Sequence, residues 1–260
     1  MDNSRIPNVT WADNKVPEVT ITFWFIKILS TTVGETAADY LAVNVGLGTL
    51  ITDAITAMLL AIALGFQLHF RRFVPWAYWL SVLLISVAGT QLTDALTDGA
   101  GVSLYVSTAC FTVLLAIVLA SWHRSEKTLS IRHVDTRRRE LFYWVTILCT
   151  FALGTAAGDL ATEALGLGFS WGVVVFSALI AATAAGASLG MNRVLAFWIA
   201  YILTRPFGAS LGDLLSQSRA YGGVGLGTVY TSASFLAVIV ALVVFVSVRR
   251  PANNESSIQS

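Results

Sequence analysis

The sequence predicts an all-α integral membrane protein with eight transmembrane helices. Apolar residues make up 56% of the 260 positions and charged residues only 12%, whereas soluble domains carry roughly 25% charged residues. The mean hydropathy is +0.73. A transmembrane helix needs about 20 mainly apolar residues, and eight stretches meet this requirement: 20–43, 49–69, 74–97, 102–122, 141–163, 168–190, 194–215 and 226–248.

A repeated spacing of three residue types predicts how these helices are organised. Four times, a Trp is followed ten positions later by a Gly and five positions after that by an Asp. Each copy comprises an odd-numbered helix with these residues and an even-numbered helix, so two crossings return the chain to the same side. We therefore expect four parallel two-helix repeats in a pseudo-fourfold or nested twofold bundle, with the odd helices innermost. The four sets are Trp24/Gly34/Asp39, Trp79/Gly89/Asp94, Trp144/Gly154/Asp159 and Trp198/Gly208/Asp213.

The basic residues predict the orientation and the domain organisation. Of the 16 Lys and Arg residues, 13 lie on one side of the membrane if the spans alternate, and only Arg219 lies on the other. The positive-inside rule then predicts that both termini are cytoplasmic. The chain divides into an N-terminal segment (1–19), a first membrane half (20–122), a basic cytoplasmic loop (123–140), a second membrane half (141–248) and a cytoplasmic tail (249–260). We expect the polar N-terminus and the tail after Arg250 to be disordered, and the basic loop to contact anionic lipid headgroups rather than nucleic acid.

The place of each motif residue in its helix predicts its depth in the bilayer. The Trp residues begin the odd helices, and we expect them to be interface anchors because their amphipathic rings favour the headgroup level. At 1.5 Å per residue, the Gly lies about 15 Å and the Asp about 22 Å deeper. Small residues recur four positions after each Gly, which predicts close approach of the helix backbones. Because the four Asp residues share one depth, we expect them to converge on one central cavity.

Five acidic side chains within the spans are the candidate functional residues: Glu35, Asp39, Asp94, Asp159 and Asp213. An ionisable side chain in a membrane helix costs roughly 2.5 to 3.5 kcal/mol, which favours a functional role. The alternative is a set of ion pairs with Lys27 and Arg205 that fixes the helix register. We expect Lys27 to pair with Glu35 and Arg205 to neutralise a nearby acid. Asp98 and Glu163 are expected to be solvated at helix ends.

The available ligand atoms predict the kind of cargo. Carboxylate, hydroxyl and carbonyl oxygens suit hard ions such as Mn²⁺, Mg²⁺ or Ca²⁺ better than Cu(I) or Zn²⁺, and protons are a further candidate. The sequence therefore favours a cation transporter or channel in which the five acids form the ion site. Its most specific form is an exporter of a divalent, Mn-like metal that exchanges the metal for protons.

Two other functions remain open. The first is a receptor or scaffold whose polar core only sets helix packing, and the second is an organic-cation carrier that uses the same acids. An intramembrane enzyme is disfavoured, because the spans lack an HExxH motif and a Ser/His pair. The histidines, His69, His123 and His133, lie at or in predicted loops. We expect no covalent cofactor and no nucleic-acid partner.

Two segments around the first repeat carry a resemblance to a known family. They are KVPEVT at 15–20 and TTVGETAADYL at 31–41. They resemble the bacterial family of uncharacterised membrane-anchored proteins that is defined by a repeat of unknown function. The resemblance covers all four repeats, although the residue after the Gly is Thr90, Thr155 or Ala209 in the later copies, where the first copy has Glu35. It implies a bacterial inner-membrane protein of this architecture.

Overall fold

The computed structural model describes residues 14–256 except 45 and 47, and eight long α-helices account for most of that part of the chain. No β-strand occurs among these residues. Seven of the helices, α2 to α8, are long and apolar enough to cross a membrane, as in a multi-pass membrane protein. The helices are α1 (Ile21–Val43), α2 (Thr49–His69), α3 (Pro75–Asp94), α4 (Leu104–Glu126), α5 (Arg137–Asp159), α6 (Gly168–Ser188), α7 (Arg193–Ser216) and α8 (Thr228–Ser256).

Local sequence explains where these helices begin. The side chains of Thr20, Thr136 and Asn192 accept hydrogen bonds from backbone N–H groups in the first turns of α1, α5 and α7, which satisfies donors that have no partner within the helix. Pro75 opens α3, where its missing N–H costs nothing. The largest difference from the predicted boundaries is at the end of α8. α8 continues to Ser256, so residues 251–256 are helical where the sequence predicted disorder.

The four odd-numbered helices form a closed ring at the centre of the bundle. α1 and α5 each contact both α3 and α7. The repeated glycines lie at these contacts, where an added Cβ would clash with the neighbouring helix: Gly34 against Ser86, Gly89 against Phe151, Gly154 against Arg205 and Gly208 against Thr31. Each contacted residue lies three positions before the glycine of its own helix, so one contact is repeated around the ring. The prediction that the odd helices are innermost is confirmed.

The even-numbered helices surround the ring in a consistent way. α2 packs mainly on α3, α4 on α5, α6 on α7, and α8 returns to α1. The last of these contacts includes a hydrogen bond of 2.6 Å between the hydroxyls of Thr36 and Ser232. Each even helix therefore packs on the odd helix of the next repeat, and the fourth repeat closes on the first.

The start of the odd helices, which we name the basic end, is closed by the segment that precedes α1. Asn14 and Lys15 are buried, and the Lys15 Nζ lies 2.5 Å from Glu140 Oε2. The side-chain amide of Asn14 donates to the carbonyl oxygen of Ile131, and its oxygen accepts from the backbone N–H of Val134. The expectation that the N-terminus is disordered is therefore wrong for residues 14–19, whereas residues 1–13 lie outside the described part. The polar side chains of this segment find their partners only in the folded bundle.

The sequence predicted that the tryptophans of the repeat anchor the protein at the lipid interface, and this prediction is wrong for three of the four, which are buried. Trp79, Trp144 and Trp198 are 3–4% exposed and belong to the hydrophobic core at the basic end. The Nε1 of Trp198 donates to the carbonyl oxygen of Leu129 in the loop before α5. Trp24 is half-buried and packs edge-on against Phe23. The rings face neighbouring odd helices because those helices approach closely, and the aromatic layer fills the space between them.

The ring predicts a specific sensitivity to one methyl group. A Cβ on Gly89 would lie 2.7 Å from the Phe151 Cβ, which cannot rotate away. We expect Gly89→Ala to destabilise the protein by about 1 to 3 kcal/mol, as overpacking does, in thermal unfolding of the detergent-solubilised protein. Gly65→Ala on α2 is the control, because no described neighbour lies within 4 Å of its added Cβ. Equal stability of the two variants would contradict the close approach.

Candidate functional site

Five acids from the four odd helices surround one cavity at the other end of the ring, which we name the acidic end. The cavity has a volume of about 160 Å³ and is lined by Glu35, Asp39, Asp94, Asp159 and Asp213. These are the five residues that the sequence singled out. Their convergence at the C-terminal ends of α1, α3, α5 and α7 also shows that the odd helices run parallel. The structure thus brings together every predicted site acid.

The ends of α3 and α5 shape the mouth of this cavity. Each helix continues beyond its aspartate into a π-helical turn, Ala95–Gly99 and Leu160–Ala164. Such turns change the direction in which side chains project and are frequent at functional sites. Asp98 and Glu163 lie in these turns and are exposed, as predicted, yet they also line the cavity. The cavity therefore reaches the surface between acidic side chains.

The inner limit of the cavity is a buried ion pair. The Arg205 Nη2 lies 2.6 Å from Glu35 Oε2, and the two side chains are 1% and 7% exposed. Thr90 contacts both partners: its hydroxyl donates to Glu35 Oε2 at 3.3 Å and also contacts Arg205 Nη2. The prediction that Arg205 neutralises a nearby acid is confirmed. Breaking a buried pair by removing one partner typically costs about 3 to 5 kcal/mol.

Lys27 does not pair with Glu35, and that prediction is wrong. Its Nζ has no hydrogen-bond partner among the described residues and lies 4.1 Å and 4.3 Å from the ring centroids of Phe151 and Tyr201. Eight residues of helix separate Lys27 from Glu35, a rise of about 12 Å, whereas Arg205 reaches Glu35 directly from α7. Lys27 also does not extend to the interface, since it is 1% exposed.

Below the ion pair, the axis of the ring is filled by side chains. Lys27 lies against Phe151 and Tyr201, and the hydroxyls of Tyr78 and Tyr143 are 2.5 Å apart in the next layer towards the basic end. All of these residues are buried. An ion that entered at the acidic end would meet two basic side chains and then a packed aromatic layer.

The acids surround the cavity without forming a compact ligand set. Within the described residues, no group of three or more His, Cys, Asp or Glu side chains is placed to hold a metal ion directly. The four aspartates make few contacts with other described side chains, and one of them is a long hydrogen bond of 3.5 Å from Gln217 Nε2 to Asp39 Oδ2. A cation in this cavity would thus retain water molecules between itself and some of the carboxylates.

Sequence reasoning did not assign a role to Thr90 or to the cluster at the basic end. A signal for Thr90 was available, because it follows Gly89 at the position where Glu35 follows Gly34. The cluster of Lys15, Glu140 and Gln67 gave no such signal. Gln67 donates to both the Lys15 carbonyl oxygen and Glu140 Oε1, and these residues are far apart in the chain.

Together, the fold and the site define a multi-pass helical membrane protein with one acidic cavity built from equivalent positions of four repeats. The family described as Repeat of Unknown Function (DUF347) matches residues 22–73, 77–128, 142–189 and 196–251. Each match covers one odd helix and the even helix after it, and the chain belongs to this family. The predicted four-copy repeat is confirmed. Comparison with curated proteins and with solved structures found no match.

A double-mutant cycle distinguishes the two possible partners of Glu35. We expect Arg205→Met to destabilise the protein by about 3 to 5 kcal/mol, because it strands a buried carboxylate, and Arg205→Met with Glu35→Gln to be more stable than the single variant. The stability of the variants is measured by unfolding in mixed detergent micelles. The matched cycle with Lys27→Met should give little coupling to Glu35→Gln. Stronger coupling of Glu35 to Lys27 than to Arg205 would contradict the observed pairing.

Proposed function

We propose that the protein is a membrane transporter for cations and that the acidic cavity is its binding site. The observation that carries the proposal is the imbalance of charge around the cavity. Glu35 has a basic partner in Arg205, whereas Asp39, Asp94, Asp159 and Asp213 line the same space without an ion pair to any described residue. Carboxylates that are crowded without counterions attract cations, and intramembrane acids commonly mark ion pathways.

The size and chemistry of the cavity favour a small, hard cation. A water molecule occupies about 30 Å³ in the liquid, so a cavity of about 160 Å³ accommodates an ion with several of its waters. Mg²⁺ and ions like it retain water when they bind to carboxylates, which fits acids that surround a space without a compact ligand set. We therefore propose a divalent cation of the Mn²⁺, Mg²⁺ or Ca²⁺ kind as cargo, exported in exchange for protons.

The filled axis favours a carrier over a channel. Between the cavity and the basic end lie Arg205, Lys27 and the aromatic layer, followed by the buried Lys15–Glu140 pair. A continuous pore would place an entering cation against two basic side chains in a low-dielectric environment, which is unfavourable. A carrier instead opens its two ends in turn around a fixed site. In this proposal the structure corresponds to a conformation that is open at the acidic end.

We place the protein in the bacterial inner membrane with the basic end and both termini in the cytoplasm. Support comes from the distribution of Lys and Arg, of which 13 belong to the basic side and only Arg219 to the other. The four repeats would cross in parallel around a pseudo-fourfold axis, and the recurrence of one glycine contact around the ring supports this symmetry. The cavity then opens towards the periplasm.

The orientation is tested with a reporter at the C-terminus. Alkaline phosphatase folds only where disulfide bonds form, in the periplasm and not in the cytoplasm. We expect a fusion after Ser260 to be inactive and a fusion in the turn at Arg219 to be active. The reverse pattern of activities would place the cavity on the cytoplasmic side.

The transport proposal predicts that single aspartates control flux. We expect Asp94→Asn and Asp159→Asn each to lower the uptake of Mn²⁺ into proteoliposomes by about tenfold or more, which corresponds to roughly 1.4 kcal/mol of lost cation stabilisation. Asp53→Asn is the control, since Asp53 lies on α2 and does not line the cavity. The same vesicles are tested with Mg²⁺, Ca²⁺ and tetramethylammonium. Movement of tetramethylammonium alone would identify an organic-cation carrier, and no flux of any cation would favour the scaffold.

A further inference from the structure

The Glu35 carboxylate belongs both to the acidic cavity and to the buried ion pair. Its side chain lines the cavity, and the same carboxylate binds the guanidinium of Arg205 at 2.6 Å. It is the innermost acid of the cavity, four residues before the aspartate position of its helix. The deepest carboxylate of the candidate site is therefore already neutralised by a cation that belongs to the protein.

Only part of the hydrogen-bonding capacity of Arg205 is satisfied in this position. Its side chain is 1% exposed, yet its Nε and Nη1 atoms lack hydrogen-bond partners within the described chain. Only Nη2 is satisfied, by Glu35 and Thr90. A guanidinium binds a carboxylate most strongly through two parallel hydrogen bonds, and here it uses a single nitrogen. The pair is thus strong enough to persist in the core and weaker than the best geometry allows.

The pair occurs once in the ring, although the ring is built from repeats. The positions equivalent to Arg205 are Thr31, Ser86 and Phe151, and the positions equivalent to Glu35 are Thr90, Thr155 and Ala209. The aspartates, by contrast, are present in all four copies. The ion pair is consequently not a requirement of the repeat fold. Its two residues each occur in a single copy, at positions that contact each other across the ring.

We propose that Arg205 is a built-in competitor for the cation site. In the empty site its guanidinium is bonded to the Glu35 carboxylate, and a cation that enters the cavity binds this carboxylate only by displacing the guanidinium. The proposal rests on the proposed transport function and names the residue that regulates its binding site. It also links binding to movement, because a displaced guanidinium would be a buried charge without a partner. Arg205 packs against Gly154 of α5 and precedes Pro206, where α7 lacks a backbone hydrogen bond.

The test is the equilibrium affinity for Mn²⁺, measured by calorimetry on the purified full-length protein. We expect Arg205→Gln to bind Mn²⁺ about tenfold more tightly than the wild type, since Glu35 is then unoccupied, and Glu35→Gln to bind it about tenfold more weakly; each factor corresponds to about 1.4 kcal/mol. Arg219→Gln removes an exposed positive charge at the acidic end and should change the affinity less than about twofold, because exposed charges are screened. Unchanged or weaker binding by folded Arg205→Gln would overturn the proposal.

A second comparison holds even if Arg205→Gln does not fold. Glu35→Gln and Glu35→Gln/Arg205→Gln should have equal affinities, because Arg205 competes only through Glu35. Tighter binding by the double variant would show that Arg205 acts by general repulsion, and the proposal would be wrong. If the wild type binds and transports Mn²⁺ but the variants do not have the expected affinities, only the role of Arg205 as a competitor is disproved. If the wild type binds and transports no cation, the transport function itself fails.

Discussion

The close approach of the four odd helices is the constraint on which the rest of the structure depends. At each contact a glycine faces a residue of the next helix at a distance that leaves no room for a methyl group. Cross-helix hydroxyl bonds strengthen the same contacts, from Thr31 to the Thr204 carbonyl oxygen and from Thr93 to that of Ala152. Without such proximity the aspartates would not share one cavity, and Arg205 would not reach Glu35.

The ring separates charge along its axis. The acidic end carries crowded carboxylates, the middle holds Arg205 and Lys27, and the basic end is closed by aromatic rings and the segment before α1. Lys27 has two aromatic faces beside it, and a desolvated cation–π contact is worth about 2 kcal/mol. This arrangement leaves the cavity accessible at the acidic end, which is the basis of the proposed carrier mechanism.

The repeat and the hydropathy pattern were sufficient to predict the helices, their order and the shared cavity. Equal spacing from Trp to Asp in four parallel helices places the aspartates at one depth whatever the details of packing. The partner of Glu35 could not be predicted, because it depends on how α1 and α7 are rotated about their axes. The burial of Trp79, Trp144 and Trp198 was missed for a related reason: the preference of Trp for the headgroup level describes an isolated helix, and here the ring offers a protein surface at the same depth. The contacts of Asn14 and Lys15 join segments more than a hundred residues apart, beyond the reach of local patterns.

The packing of α8 on α1 sets the order in which the protein can be assembled. α1 is made before the other described helices and carries Lys27, Glu35 and Asp39. Its outer partner is α8, the last of the described helices, and the arginine that pairs with Glu35 is made 170 residues later. α1 and its three ionisable side chains are therefore made long before the arginine and the outer helix that pack on them. Closure of the ring is thus a late step of assembly, and the acidic cavity is complete only when α7 has joined the other odd helices.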